Sequence, residues 1–168
     1  ETLEQTRHCL NYVDYKEGVF LQKYMGRDEV GHIAFVSNGK IYSLVTNQEY
    51  KRAFDGNLGI VAGAPLGGLV EWDPEDKYGI ANALLHPLLP WFKETNFHGP
   101  IQVTAIWYEH RWQVLEFNIR LGVTSGPLIL RMMQNPIEVL QQIVHNQDAT
   151  IALSGDRRFG CSVTLAGY

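Results

Sequence analysis

Cysteine is scarce in this chain: Cys9 and Cys161 are its only two, and neither has a closely spaced partner. That excludes a zinc knuckle and a disulfide framework, and it fits reduced thiols in a cytoplasmic protein. Long apolar runs are also lacking, so neither a membrane span nor a signal peptide is expected. Positive charge is in deficit, with 14 Lys and Arg against 18 Asp and Glu and a net charge of −4. Broad, nonspecific nucleic-acid binding is therefore not expected, although a local basic pocket is compatible with this balance. There is no internal repeat, no low-complexity tract and no flexible linker. An initiator methionine is missing too. The sequence opens at Glu1 and stops at Ala166-Gly167-Tyr168, on what reads as the end of a strand, so a piece of a longer chain is expected.

What is present suffices for one domain. The 168 residues are 45% hydrophobic and 19% charged, the composition of a globular chain with a real core. Apolar spacing predicts a helix over 2–13 and a strand over 19–25, followed by a turn at 26–28. Two strands, 30–36 and 40–46, flank Ser37-Asn38-Gly39, which contains the strongest short hairpin signal. Residues 47–73 read as a long apolar loop punctuated by glycine, and a loop of that length is usually functional. Asp73-Pro74-Glu75 has the form of a helix start, with Asp73 as cap and a helix over 75–94 bent by Pro87 and Pro90. Strands follow at 101–108 and 114–120, then a helix over 136–145 and a last strand over 160–166. Hairpin-joined strands with interspersed helices indicate an antiparallel α+β domain rather than a doubly wound parallel sheet.

The segment Val114-Leu115-Glu116-Phe117-Asn118-Ile119-Arg120 alternates as a strand does. Leu115, Phe117 and Ile119 are expected to face a core. Glu116, Asn118 and Arg120 then share the other face. A carboxylate and an amide oxygen suit a hard divalent cation such as Mg²⁺, and an arginine can fork onto a phosphate. An amphipathic edge strand carrying Glu116 and Arg120 as a solvated ion pair would produce the same pattern, and the row alone leaves both readings open.

Four segments in register carry a resemblance. Leu115-Glu116-Phe117-Asn118-Ile119-Arg120-Leu121-Gly122 resembles a V-I/L-E-F-N-x-R-F/L-G strand. Gln48-Glu49-Tyr50-Lys51-Arg52-Ala53-Phe54-Asp55 resembles Q-D-H-K-R-x-x-D. Gln22-Lys23-Tyr24-Met25, with Asp28-Glu29 after it, stands in place of E-E-F-L and a following E-E. The stretch from Gly160 to Tyr168 resembles a strand ending in A-G-G-Y. Together they are similar to the C-terminal part of the ATP-grasp domain in the phosphoribosylamine–glycine ligase (glycinamide ribonucleotide synthetase) family. The resemblance implies that residues 1–168 are a partial ATP-grasp domain, mostly antiparallel sheet with flanking helices. The N-terminal subdomain would lie elsewhere in the parent chain, and the strand at 160–168 would open the following region. It implies Gln22, Lys23, Tyr24 and Met25 as the hinge at the adenine edge and Glu29 on the ribose hydroxyls. Glu116 and Asn118 would hold Mg²⁺ (or Mn²⁺) between the phosphates of ATP. Arg120 and Lys51 are the implied catalytic cations, with Arg52, Asp55 and Gly63 on the substrate side. The implied reaction joins the carboxylate of glycine to the amine of phosphoribosylamine through an acyl phosphate. Its partners are small molecules, with no nucleic acid and no membrane. The isolated fragment is expected to fold without turning over.

Three departures bear on the substrate. The family's G-P-N-T-G-G-M-G-A loop is here Gly59-Ile60-Val61-Ala62-Gly63-Ala64-Pro65-Leu66-Gly67, with aliphatic groups replacing hydrogen-bonding ones. The family's D-P-E after the glycine is here Val123-Thr124-Ser125, and the hinge has Gln22 and Lys23 for two glutamates. A ligase with a different acceptor and a nucleotide-binding module without catalysis are the alternatives these changes leave.

Overall fold

The computed structural model describes residues 3–16, 18–62 and 64–165. Its framework begins with a hairpin. Strands β1 (Val30–Ser37) and β2 (Lys40–Tyr50) pair up to Ser37 opposite Lys40. The two intervening residues, Asn38 and Gly39, take φ of 49° and 64°. Two consecutive left-handed residues match the twist of the paired strands, which is why Asn-Gly is favoured there. The strand β1 also pairs with β6 (Gly99–Tyr108), which continues into β7 (Arg111–Asn118). On the other side, β2 pairs with β5 (Gly67–Trp72) and β5 with β8 (Phe159–Val163). The result is one antiparallel sheet in the order β7-β6-β1-β2-β5-β8, with a separate two-stranded sheet of β3 (Arg52–Phe54) and β4 (Leu58–Val61).

Helices cover both faces of the large sheet, which explains the unbroken burial of Ile33-Ala34-Phe35-Val36 in β1. Ile33 and Phe35 pack with Val45, Val70 and two helices, α4 (Ser125–Met132) and α5 (Pro136–Val144), through Ile129, Met132, Val139 and Ile143. Ala34 and Val36 pack on the opposite side with Ile101, Val103 and two short helices, α2 (Ile80–Leu84) and α3 (Leu89–Glu94), through Ile80, Leu85 and Phe92. The first helix, α1 (Leu3–Leu10), forms inside the expected 2–13 but buries none of its residues.

Several expectations are corrected. Residues 19–25 form no strand: among the described residues no ladder pairs with them, and Phe20 and Leu21 are exposed. The expected loop over 47–73 instead holds the end of β2 and all of β3, β4 and β5. Gly59, Gly67 and Gly68 are strand residues, and Gly56 makes the β3–β4 turn at a φ of 69°. The helix expected over 75–94 starts only at Ile80 and is broken by a 3-10 turn at His86–Leu88. Asp73 does not cap it: one oxygen is taken by Thr46 and the other by the Lys77 N–H, while Asp76 accepts from the N–H groups of Ala81 and Asn82. The helix α4 has no counterpart among the expected elements. The last strand forms as β8, while the Ala166-Gly167-Tyr168 end lies outside the described residues.

Candidate functional site

The strand β7 carries an irregularity that decides what its side chains do. Ala105 faces Val114 but the adjoining Thr104 faces Glu116, so Leu115 is an extra residue in the ladder. Such a bulge reverses the alternation. Trp112 and Val114 therefore pack with the α2–α3 side of the core. Glu116 and Asn118 come out on the other face, opposite Thr104 and Gln102. This corrects the expected orientation: Phe117 and Ile119 are 42% and 71% exposed rather than buried. The strand ends at Asn118, and Arg120 lies beyond it in a bend, its guanidinium 3.4 Å from the Leu121 carbonyl. Glu116 is not ion-paired with Arg120 among the described residues. Its Oε1 instead accepts from Asn118 Nδ2 at 3.1 Å. That bond leaves Glu116 Oε2 and Asn118 Oδ1 as hard oxygen donors, a set that fits Mg²⁺.

Strand register places further polar groups on the same face. Gly31 of β1 faces both Asn47 of β2 and Thr104 of β6. Asn47, Glu49, Gln102, Thr104, Glu116 and Asn118 therefore share the face that α4 and α5 cover farther along the strands. Glu49 sits at the centre, its side chain 10% exposed. Its Oε1 accepts from Gln102 Nε2 at 3.2 Å and lies 3.4 Å from Asn47 Nδ2. Both amides thus spend their donors on one carboxylate, and their oxygens are left without partners. The hydroxyls of Thr104, Thr124 and Ser125 are buried and unpartnered as well. This layer concentrates unspent hydrogen-bonding capacity in a buried setting, where it is costly.

Lys51 follows directly on β2. Its ammonium is 2.7 Å from Glu29 and 4.0 Å from Glu49. Burial pulls its pKa down, but the hydrogen bond and charge of Glu29, together with Glu49 and Glu116, outweigh that and raise it. Lys51 is therefore a firmly held cation within the field of Glu116. Tyr24, Glu29, Glu49, Lys51 and Arg52 line a cavity of about 110 Å³.

The structure thus brings Glu29, Lys51, Tyr24 and Arg52 together, and it places Glu116 and Asn118 side by side. Arg52 itself donates to the Gly59 carbonyl at 2.6 Å. Others stand apart. Lys23 lies over the Tyr108 ring and 3.7 Å from Glu109, Gln22 is exposed and Met25 half-buried. Asp55 lies exposed in the β3–β4 turn, and Gly63 is outside the described residues. Glu49, Gln102, Thr104 and Ser125 were missed from sequence. A signal existed for two of them: in Ile101-Gln102-Val103-Thr104-Ala105, polar residues alternate with apolar ones, and all five are buried.

No protein-family model matches the chain. It is similar to the phosphoribosylamine–glycine ligase of Halalkalibacterium halodurans, with 23% identity over 159 residues covering 89% of this chain and 36% of that protein. Among solved structures, the phosphoribosylamine–glycine ligase of Thermotoga maritima superposes with a TM-score of 0.63 at 19% identity, covering 84% of this chain and 37% of that one. The N5-carboxyaminoimidazole synthetase of Staphylococcus aureus, solved with ADP, gives 0.52 at 15% identity over 79% of this chain and 34% of that one. The chain therefore has the fold of the matching part of ATP-grasp enzymes, and the resemblance carried by its motifs is borne out. It spans little more than a third of the length of these relatives.

Proposed function

We propose that this chain supplies the metal- and phosphate-binding half of an ATP-grasp site, in a cytoplasmic ligase of the phosphoribosylamine–glycine ligase type. Bound Mg-ATP would activate a carboxylate as an acyl phosphate for attack by an amine. The observation that carries the reading is the Glu116–Asn118 pair, turned by the Leu115 bulge onto the same face as Glu49 and Lys51. In this reading Glu116 Oε2 and Asn118 Oδ1 hold the metal, with Mn²⁺ an acceptable substitute. Lys51 holds a phosphate or carboxylate oxygen by charge, and Glu29 accepts from ribose hydroxyls once Lys51 releases it. Arg120, on its long stem beyond β7, reaches the transferring phosphoryl group. Tyr24 and Met25 flank the base with Gln22 and Lys23, and Arg52, Asp55 and Gly63 face the second substrate.

A different acceptor is favoured by two local observations. Ile60 and Val61 are exposed aliphatic side chains on β4, and the Thr124 and Ser125 hydroxyls are buried without partners. A site that presents unpaired hydroxyls selects for a ligand that pairs them.

Calorimetric titration of the chain with Mg-ATP tests the reading. Binding should require Mg²⁺ and weaken at least tenfold in Glu116→Ala and in Asn118→Ala. Mg²⁺-independent binding, or equal binding by both variants, would remove these two residues from the site. If the folded chain does not bind, the same titration on the longer parent decides whether a missing subdomain or a structural row is responsible.

A further inference from the structure

On the face of the sheet away from Glu116, a second set of ligating side chains is left over. His32 of β1, with Asp73 and Asp76 of the β5–α2 connection, brings one nitrogen and two carboxylate oxygens within 4.8 Å of one another. His32 Nδ1 is 4.0 Å from Asp73 Oδ2 and 3.8 Å from Asp76 Oδ1. The ring is fully buried, and the two carboxylates are 4% and 13% exposed. Anions so far from water require a positive partner. Among the described residues His32 is the one ionisable cation within 4.0 Å of either, since the Lys77 ammonium is committed to Glu71. A neutral His32 leaves both carboxylates uncompensated, and a protonated one offsets a single charge.

The surroundings of the three groups are already ordered. Asp73 accepts from the Thr46 hydroxyl at 2.7 Å and from the Lys77 N–H at 2.8 Å. Asp76 accepts from the Ala81 and Asn82 N–H groups at 2.9 and 2.7 Å. Such outer hydrogen bonds fix ligating carboxylates in orientation, and each oxygen retains a lone pair for a further contact. The Thr46 hydroxyl lies 3.1 Å from His32 Nδ1, and His32 Nε2 has no partner. Thr46 also lines a cavity of about 680 Å³ bounded by Leu69, Glu71, Tyr78, Trp112 and Cys161.

We propose that His32, Asp73 and Asp76 bind one divalent transition-metal ion of the Zn²⁺, Mn²⁺ or Co²⁺ class, pinning the β5–α2 connection to the centre of the sheet. An imidazole with two carboxylates suits these ions better than Ca²⁺, which takes oxygen alone, or Cu⁺, which prefers sulfur. Metal–ligand bonds of about 2.0–2.2 Å place neighbouring ligand atoms about 3–3.5 Å apart. The present separations of 4.0 and 3.8 Å from His32 Nδ1 are longer, so a bound ion would draw the three groups together. The dication cancels the two buried charges, so occupancy adds directly to the stability of the fold. The site is independent of the Glu116–Asn118 reading, because it lies on the other face and shares no residue with it.

The chain, stripped of metal with a chelator, is titrated with Co²⁺ at neutral pH while absorption, bound metal and thermal unfolding are recorded. One equivalent should bind, with a ligand-field band but no thiolate charge-transfer band, and the unfolding midpoint should rise by about 5 °C. Zn²⁺ should displace the Co²⁺. Asp76→Asn keeps one acceptor oxygen for the α2 N–H groups and should weaken binding at least tenfold, as should His32→Gln. On the unaltered chain, substoichiometric Mn²⁺ should broaden the His32 ring resonances before those of the other histidines, a readout that does not depend on any variant folding. Absence of a bound equivalent overturns the proposal. So does a thiolate band, loss of binding in Glu116→Ala, or broadening centred on another histidine.

Discussion

At Gly122 a single methyl group would crowd two buried polar oxygens and touch a third. An added Cβ would collide with Ser125 Oγ and stand 3.1 Å from Gln102 Oε1 and 3.4 Å from Glu49 Oε1. All three belong to side chains that are buried or nearly so, and Ser125 opens α4, so none can swing into solvent. Overpacking of this kind costs about 1–3 kcal/mol. Gly122→Ala should lower the urea midpoint accordingly without changing the slope of the transition, which chemical denaturation reads directly. Gly31 has the same relation to Asn47, whose Oδ1 occupies the space a side chain there would need. The absence of a side chain at these two positions lets polar groups lie flat against the sheet. Sequence shows the glycines but not the partners that require them.

Among the elements, the β1–β2 hairpin is tied to the chain after α5 by Asp148, which accepts from Lys40 Nζ at 2.8 Å, from Asn38 Nδ2 at 3.0 Å and from Tyr42 at 3.1 Å. The hydrogen bond from Lys40, followed by those from Asn38 and Tyr42, holds its carboxyl below the usual aspartate range. A carboxyl depressed in the folded state contributes stability above its unfolded value of about 3.9 and loses it as pH falls through the folded value. In an NMR titration Asp148 should therefore ionise at lower pH than an ordinary aspartate, and Lys40→Met should move it back towards normal. This hairpin was legible because Asn38-Gly39 announces it locally. So were β6, β7 and α5, whose patterns depend on near neighbours or on Pro136 at the helix start. The strands within 47–73 were not, since β5 is a strand only because β2 and the remote β8 flank it. The late start of α2 was hidden too, because Thr46 takes the oxygen that Asp73 would have offered as a cap. The Leu115 bulge leaves no mark in composition, yet it sends Glu116 and Asn118 to the face they occupy. Their pairing was read correctly, and the burial of their neighbours was not.

For the molecule as a whole, β1 is the strand on which everything else converges. It is paired on both edges and covered on both faces, whereas residues 18–29 carry mostly exposed side chains and no ladder. Native-state hydrogen exchange should accordingly be slowest for amides of Ile33 to Val36, approaching the global unfolding free energy, and fast from Gly18 to Asp28. Equal protection of the two regions would refute this hierarchy. The contrast also has a bearing on how the polar face meets a ligand. Glu29, at the end of the loosely held segment, already occupies Lys51, at the end of the firmly held sheet. An arriving anion therefore finds Lys51 already taken: to reach it, it must trade places with a carboxylate of this same chain. What is gained at Lys51 is then the difference between two partners rather than the full strength of either. A displaced Glu29 would leave its segment without this ion pair to the sheet.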